Sequence, residues 1–165
     1  MNNLSFHITD IMANSIRAKA SEIGLFIEER DLRITIRIAD NGLGMDAGTI
    51  ARVTNPFYTT RTTRKVGLGI PFLIQNAEQT GGAVSITSQP GKGTVVTASF
   101  CSNHIDCPPW GDLPGTVAML ITGNPDINIC FEYQAARTVF SISTSEIKEI
   151  LDGIPLSYPK VMLLV

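Results

Sequence analysis

Asp10, Asn14 and Arg17 follow one another at intervals of four and three residues. On a helix that spacing sends all three side chains from one face on successive turns. A carboxylate there can hold an attacking water, a carboxamide oxygen can ligate a hard cation such as Mg²⁺, and a guanidinium can meet a phosphate. A solvated helix face reads the same way, so the trio decides nothing by itself. A second carboxylate raises a related question. In RITIRIADNGLGMD, Ile34, Ile36 and Ile38 alternate with Arg33, Thr35 and Arg37, the period of a strand with one buried face. Asp40 ends the alternation, and Asn41, Gly42, Leu43 and Gly44 follow as a turn-forming set. Asp40 either satisfies backbone N–H groups close to it or faces a ligand from a strand end.

The elements that must position these groups can be read along the chain. A helix is expected from about Phe6 to Ala20, with Ile8, Ile11, Met12 and Ser15 on one side and Asp10, Asn14 and Arg17 on another. Strands near Ile23–Glu28 and Leu32–Ala39 flank the polar EERD and read as a hairpin. A brief helix around Ala47–Val53, the loop NPFYTTRTTRKVGLG and a helix at about Ile70–Gln79 come next. AVSITSQ, PGKG and TVVTASF then read as strand, tight turn and strand. The result is an α+β, two-layer sandwich with its helices on one face of the sheet.

CSNHIDCPPWGDLPG, rich in proline, marks a boundary. Residues 1–101 are expected to form the main domain and 102–165 a C-terminal extension. In the extension Thr116–Thr122 is ambiguous between helix and strand, and INICFEYQ and RTVFSIS read as a hairpin. SEIKEILDGI reads as a short helix capped at Ser143 or Ser145. Cys101, His104 and Cys107 fall at even spacing, but the pattern matches none of the usual paired zinc hooks.

With 44% hydrophobic and 17% charged residues, the 165-residue chain has a globular composition. A net charge of -2 gives no reason to expect nucleic acid or an anionic membrane as partner. The opening MNNLSFHITD lacks a basic cluster followed by an apolar run, so no signal peptide is read there, and a cytoplasmic location is the expectation.

Several segments, taken in order, resemble the GHKL superfamily of ATP-binding domains, shared by gyrase, large heat-shock chaperones, histidine kinases and MutL-type repair proteins. DIMANSIRAKAS looks like its asparagine box, in a style similar to MutL, and DNGLGM like its first glycine box. NPFYTTR is similar to the phenylalanine box of histidine kinases. VGLGIPFLIQNAEQTGGAVSITSQPGKGTVVTASF is much like the second glycine box and the strands that close a kinase catalytic domain. The match covers roughly Ser5 to Phe100 and implies the Bergerat-type fold, with a mixed, mainly antiparallel sheet.

The resemblance implies ATP and Mg²⁺ as cofactors. It assigns Asp40 to the adenine amino group, Asn14 to Mg²⁺, and Asp10 and Asn14 to the catalytic positions, with Arg17 serving a phosphate. Gly42 and Gly44 would let the backbone approach the nucleotide, with Met45 beside them. Thr59, Thr60 and Arg61 would open the ATP lid, Gly67, Leu68 and Gly69 would receive the phosphates, and Thr94 would hold the adenine edge through water. The superfamily's hydrolases carry Glu where Asp10 stands, one methylene longer. His7 rides on the nucleotide helix itself and is read as structural rather than as a phosphoacceptor. Two functions follow from the resemblance. One is Mg-ATP-dependent phosphotransfer to a regulatory partner protein, or slow hydrolysis; the other is a nucleotide-dependent binding module of the anti-sigma type. The segment after Pro108 is either the source of partner specificity or an added layer of the sheet. Whether two chains associate is left open, as is the setting of the apolar tail PKVMLLV.

Overall fold

A computed structural model describes residues 3–57, 69–158 and 160–161. Helix α1 spans Leu4–Arg17. The Asn3 side chain accepts from Phe6 N–H, and the carbonyls of Pro109 and Trp110 take the Leu4 and Ser5 N–H groups at 2.9 and 3.0 Å. Donors that have no partner inside the helix are therefore met by a segment from far along the chain. The helix stops short of the expected Ala20. Lys19 turns to φ 60, and Ala20 N–H reaches back to the Ser15 carbonyl at 3.2 Å, a left-handed reversal that closes the last turn.

Strands β1 (Glu22–Arg30) and β2 (Arg33–Asp40) form an antiparallel hairpin through Asp31 and Leu32. Both turn residues have positive φ, the handedness that matches the twist of the flanking strands. Helix α2 (Ala47–Thr54) is capped by Asp46, and α3 (Gly69–Gln79) leads to β3 (Val84–Gln89) and β4 (Gly93–Cys101). The ambiguous stretch in the extension is helical: α4 spans Leu113–Gly123, with the Asp112 side chain accepting from Gly115 N–H and Pro114 in its first turn. β5 (Asn128–Ala135) and β6 (Thr138–Ser143) form the expected hairpin. Helix α5 (Thr144–Leu151) starts from a capping box between Ser143 and Glu146, which selects Ser143 over Ser145 as its cap.

The six strands make one sheet in the order β3-β4-β2-β1-β5-β6. Among the described residues, the β1–β5 pair is parallel and every other pair of neighbours is antiparallel. Alternation along β1 and β2 buries Ile23, Leu25, Ile27, Ile34, Ile36 and Ile38 against the helices, while Phe26 and Arg37 stack on the opposite face with 5.2 Å between guanidinium and ring. Ile8, Ile11 and Met12 of α1, Leu73 and Ala77 of α3, Ile121 of α4 and Ile147 of α5 join the same core. This is the α+β two-layer sandwich, helices packed on one face of a mixed, mainly antiparallel sheet. Among the described residues, no helix is long and apolar enough to cross a membrane.

Candidate functional site

A cavity of about 440 Å³ opens between α1, the end of β2, the loop after it, and the start of α3. Asp10, Asn14 and Arg17 line one side, as their helical spacing requires. Asp40, Thr94, Gly44 and Met45 line the opposite side, and Gly69 stands at the start of α3. Ile11, Ile38, Ile70 and Val96 supply apolar wall between the polar groups. Thr59, Thr60, Arg61, Gly67 and Leu68 lie outside the described residues.

Asp40 is half-buried and held at both oxygens. Ser15 Oγ donates to its Oδ2 at 2.6 Å, and Gly42 N–H donates to its Oδ1 at 2.9 Å. Each carboxylate oxygen carries a second lone pair, so Asp40 retains acceptor capacity. Thr94 is its direct neighbour across the β2–β4 ladder. The Thr94 hydroxyl sits 2.8 Å from Ser88 Oγ, which also receives the Met45 N–H at 2.7 Å. A carboxylate and a hydroxyl thus stand side by side on a rigid sheet, and the loop beside them is tied to the same serine.

The other side of the cavity is more adaptable. Arg17, exposed, donates from its guanidinium to the Asn14 carboxamide oxygen. Burial pushes the Asp10 carboxyl above its ordinary range, and the Arg17 charge partly offsets that. A Cβ on Gly69 would come within 3.2 Å of Asp10 Oδ2, so the first turn of α3 packs closely on this carboxylate. The helix dipole makes such a start favourable for an anion. The donor set of Asp10 and Asn14 is hard oxygen, which suits Mg²⁺ rather than a soft metal.

The two glycines of the DNGLG loop are demanded by the protein's own packing. Gly42 does not line the cavity; its absent Cβ would meet the Ala18 carbonyl at 2.7 Å, at the end of α1. Gly44 does line the cavity, and it has φ +70 with the Gln89 carbonyl 1.9 Å from where a Cβ would stand. The expected reason for Gly42, room for a ligand, is replaced by close packing that seats the loop on α1.

Sequence reasoning passed over four groups that shape the site. Ser15 falls on the apolar face of α1, and a buried hydroxyl on such a face needs a partner, which is its signal in the sequence. Asn41 Oδ1 accepts from Ser21 and Glu22 N–H at 2.9 and 3.0 Å, which pins the end of β2 to the start of β1. Ser88 bridges the β3–β4 turn to the glycine loop, and Gly93 lets that turn lie against the Asp40 carbonyl. Away from the cavity, His7 is buried, with Nε2 2.8 Å from Asn76 Nδ2, and burial lowers its pKa to about 4. Among the described residues no group of three or more His, Cys, Asp or Glu is gathered to hold a metal, and Cys101, Cys107 and Cys130 are free thiols.

Comparison with known proteins bears on the family and the fold. Residues 3–103 match the model of the family described as histidine kinase-, DNA gyrase B-, and HSP90-like ATPase. The chain is 35% identical over 93 residues to sensor protein kinase FleS of Pseudomonas aeruginosa, covering 54% of this chain and 23% of that protein. It is 29% identical over 106 residues to sensor histidine kinase YxdK of Bacillus subtilis, covering 59% of this chain and 32% of that one. The chain therefore spans less than a third of these curated relatives. In fold it is similar to the N-terminal domain of a DNA repair protein, with TM-score 0.66, 17% identity, and coverage of 91% of this chain and 57% of that one. It is also similar to the Aquifex aeolicus MutL ATPase domain complexed with ADP, with TM-score 0.57, 14% identity, and coverage of 92% and 70%. A matched region that spans both walls of the cavity and every strand from β1 to β4 leaves one conclusion: the chain belongs to the histidine kinase-, DNA gyrase B-, and HSP90-like ATPase family.

Proposed function

We propose that the cavity binds ATP with Mg²⁺, and that the chain transfers the γ-phosphoryl group to a regulatory partner protein or hydrolyses it slowly. Asp40 carries this reading. Its carboxylate is fixed by Ser15 and Gly42 and keeps a free lone pair on each oxygen, as an acceptor for the adenine amino group must. Thr94 beside it would take the adenine edge through water, with Ile38, Val96 and Met45 against the base.

The phosphates would extend along α1 toward the start of α3. Asn14 would hold Mg²⁺, which neutralises phosphate charge and aligns the terminal group when bound. Arg17, now on the Asn14 oxygen, would turn to a phosphate once that oxygen is taken. The raised pKa of Asp10 favours proton acceptance from an attacking water or hydroxyl. Thr59, Thr60, Arg61, Gly67 and Leu68 are assigned to the lid and the phosphate-facing glycine turn, with Gly69 following. Gly42 and Gly44 keep the loop seated so that its backbone reaches the nucleotide. Family membership and the fold shared with a MutL domain solved with ADP support the nucleotide class. A cytoplasmic setting, without nucleic acid or membrane as partner, completes the proposal.

Calorimetric titration of ATP and ADP, each with Mg²⁺, into the wild type and Asp40→Asn tests it. Binding that is lost in the variant is the expected result. No heat and no competition with a fluorescent nucleotide in the wild type would rule the reading out. For the transfer step, label from γ-labelled ATP should reach a second protein and vanish with Asn14→Ala. Retained ATP binding without label transfer or phosphate release would leave nucleotide-controlled docking as the function.

A further inference from the structure

On the side of the sheet away from the cavity, β6 is an open edge. Thr138, Val139, Phe140 and Ser141 are all exposed, Val139 and Phe140 retaining 67% and 49% of their surface. The capping box reveals which backbone groups point outward. Ser143 N–H leaves the ladder for the Glu146 carboxylate at 3.1 Å, so it faces away from β5. Alternate residues of an antiparallel pair face the same way, which places the N–H and C=O groups of Val139 and Ser141 on that outer side. Among the described residues, no turn, cap or side chain takes them. The strand TVFSIS contains no charge, proline or glycine, and its register with β5 runs without a bulge. Among the described residues, the usual protections of an edge strand by charge, proline, bulge or cover are missing.

We propose that β6 pairs antiparallel with β6 of a second copy of this chain, about a two-fold axis through Phe140. In that register Val139 faces Ser141 of the second copy and exchanges both backbone hydrogen bonds with it, and the two-fold axis repeats the exchange. The charges at the two ends of the strand select a second copy over a foreign one. Arg137, just before β6, forms no ion pair among the described residues, and Glu146, just after it, is exposed. Antiparallel pairing sets Arg137 opposite Ser143 of the second copy, beside the Glu146 that caps it, and does so twice. Phe140 packs on Phe131 with ring centroids 6.1 Å apart, at an apolar groove of about 370 Å³ also walled by Trp110, Tyr133 and Ile142. The two Phe140 rings would meet across the axis and cover the mouths of both grooves.

Sedimentation equilibrium of the 165-residue chain over a wide concentration range tests the proposal, with hydrogen exchange at both extremes. The expected result is a concentration-dependent dimer in which the Val139 and Ser141 amides become protected as it forms. Phe140→Lys sets two like charges on the axis and should leave a monomer with unchanged far-UV circular dichroism. Arg137→Glu lies in the exposed turn, where it leaves folding intact, and should raise the dimer dissociation constant about tenfold or more by facing Glu146. A monomer at every soluble concentration overturns the proposal. So does a dimer that both variants leave unchanged, since its interface must then lie elsewhere.

Discussion

At the scale of single residues, Ser15 and His7 show how buried polar groups on one helix separate into a site-building group and a structural one. Ser15 is 3% exposed and donates to Asp40 Oδ2, a hydrogen bond to a charged acceptor. Losing such a bond costs about 1.5–3 kcal/mol. Ser15→Ala is therefore expected to weaken ATP binding by about tenfold or more while the fold persists, as calorimetry with circular dichroism will register. Undiminished affinity would remove Ser15 from the positioning of Asp40. His7 titrates against stability instead. Its folded pKa of about 4 lies below the unfolded value of 6.5, because burial disfavours the charged ring. The unfolded chain thus binds more protons between those values. The His7 contribution is complete above pH 6.5 and is lost as pH falls toward 4, on the order of 3 kcal/mol in all. Protonation would also take away the Nε2 acceptor that Asn76 uses. Urea unfolding at pH 7.5 and pH 5 should show the larger part of that loss, about 2 kcal/mol, in the wild type, and His7→Gln should reduce it; an equal loss in both would assign the acid sensitivity to carboxylates.

At the scale of elements, the same substitution has opposite effects according to what surrounds the glycine. Gly93 begins β4 with φ +114, and a Cβ there would stand 1.9 Å from the Asp40 carbonyl. Gly93→Ala must displace the β3–β4 turn from the end of β2, and we expect it to destabilise the fold by more than about 2 kcal/mol and to reduce nucleotide binding with it. Gly48 lies in exposed α2, where the nearest atom to a new Cβ is 3.5 Å away. Gly48→Ala should stabilise the protein by about 0.4–1 kcal/mol, since a helical alanine loses less backbone freedom on folding. Chemical denaturation of the two variants checks both signs.

At the scale of the whole molecule, the residues after Cys101 bear on the cavity through the helix that lines it. The carbonyls of Pro109 and Trp110 take the first N–H groups of α1, and the Ser5 hydroxyl also donates to Trp110 at 2.5 Å. β5 runs parallel to β1 from Glu22 to Glu28, covering an edge whose Ile23, Leu25 and Ile27 are core residues. The indole N–H of Trp110 and the hydroxyl of Tyr133 both donate to Glu29 on β1; that bond to the carboxylate is the main cause of the rise in the Tyr133 pKa to about 12. A chain ending at Cys101 would bare this edge and leave the Leu4 and Ser5 N–H groups of α1 without their carbonyl partners. We expect it to aggregate, or to unfold at much lower denaturant than the intact chain. A soluble, cooperatively folding fragment that binds ATP with intact-chain affinity would show that 1–101 is self-sufficient.

The helix period placed Asp10, Asn14 and Arg17 on one face, and strand alternation located Asp40 at an end, because both signals are local and repeat at fixed intervals. Hairpins, caps and most element boundaries were legible for the same reason: turn and cap chemistry acts within a few residues. Where the reading missed, the cause was distance along the chain. Ser15 meets Asp40 across 25 positions, Met45 meets Ser88 across 43, and His7 meets Asn76 across 69. No periodicity carries such pairings. Gly42 was expected to make room for a ligand, and only the approach of Ala18 shows what occupies the space. The order of strands was likewise beyond local pattern. That β5 lies beside β1, parallel to it, follows from burying one continuous core under α1, α3, α4 and α5, and that choice is made by packing across the folded chain.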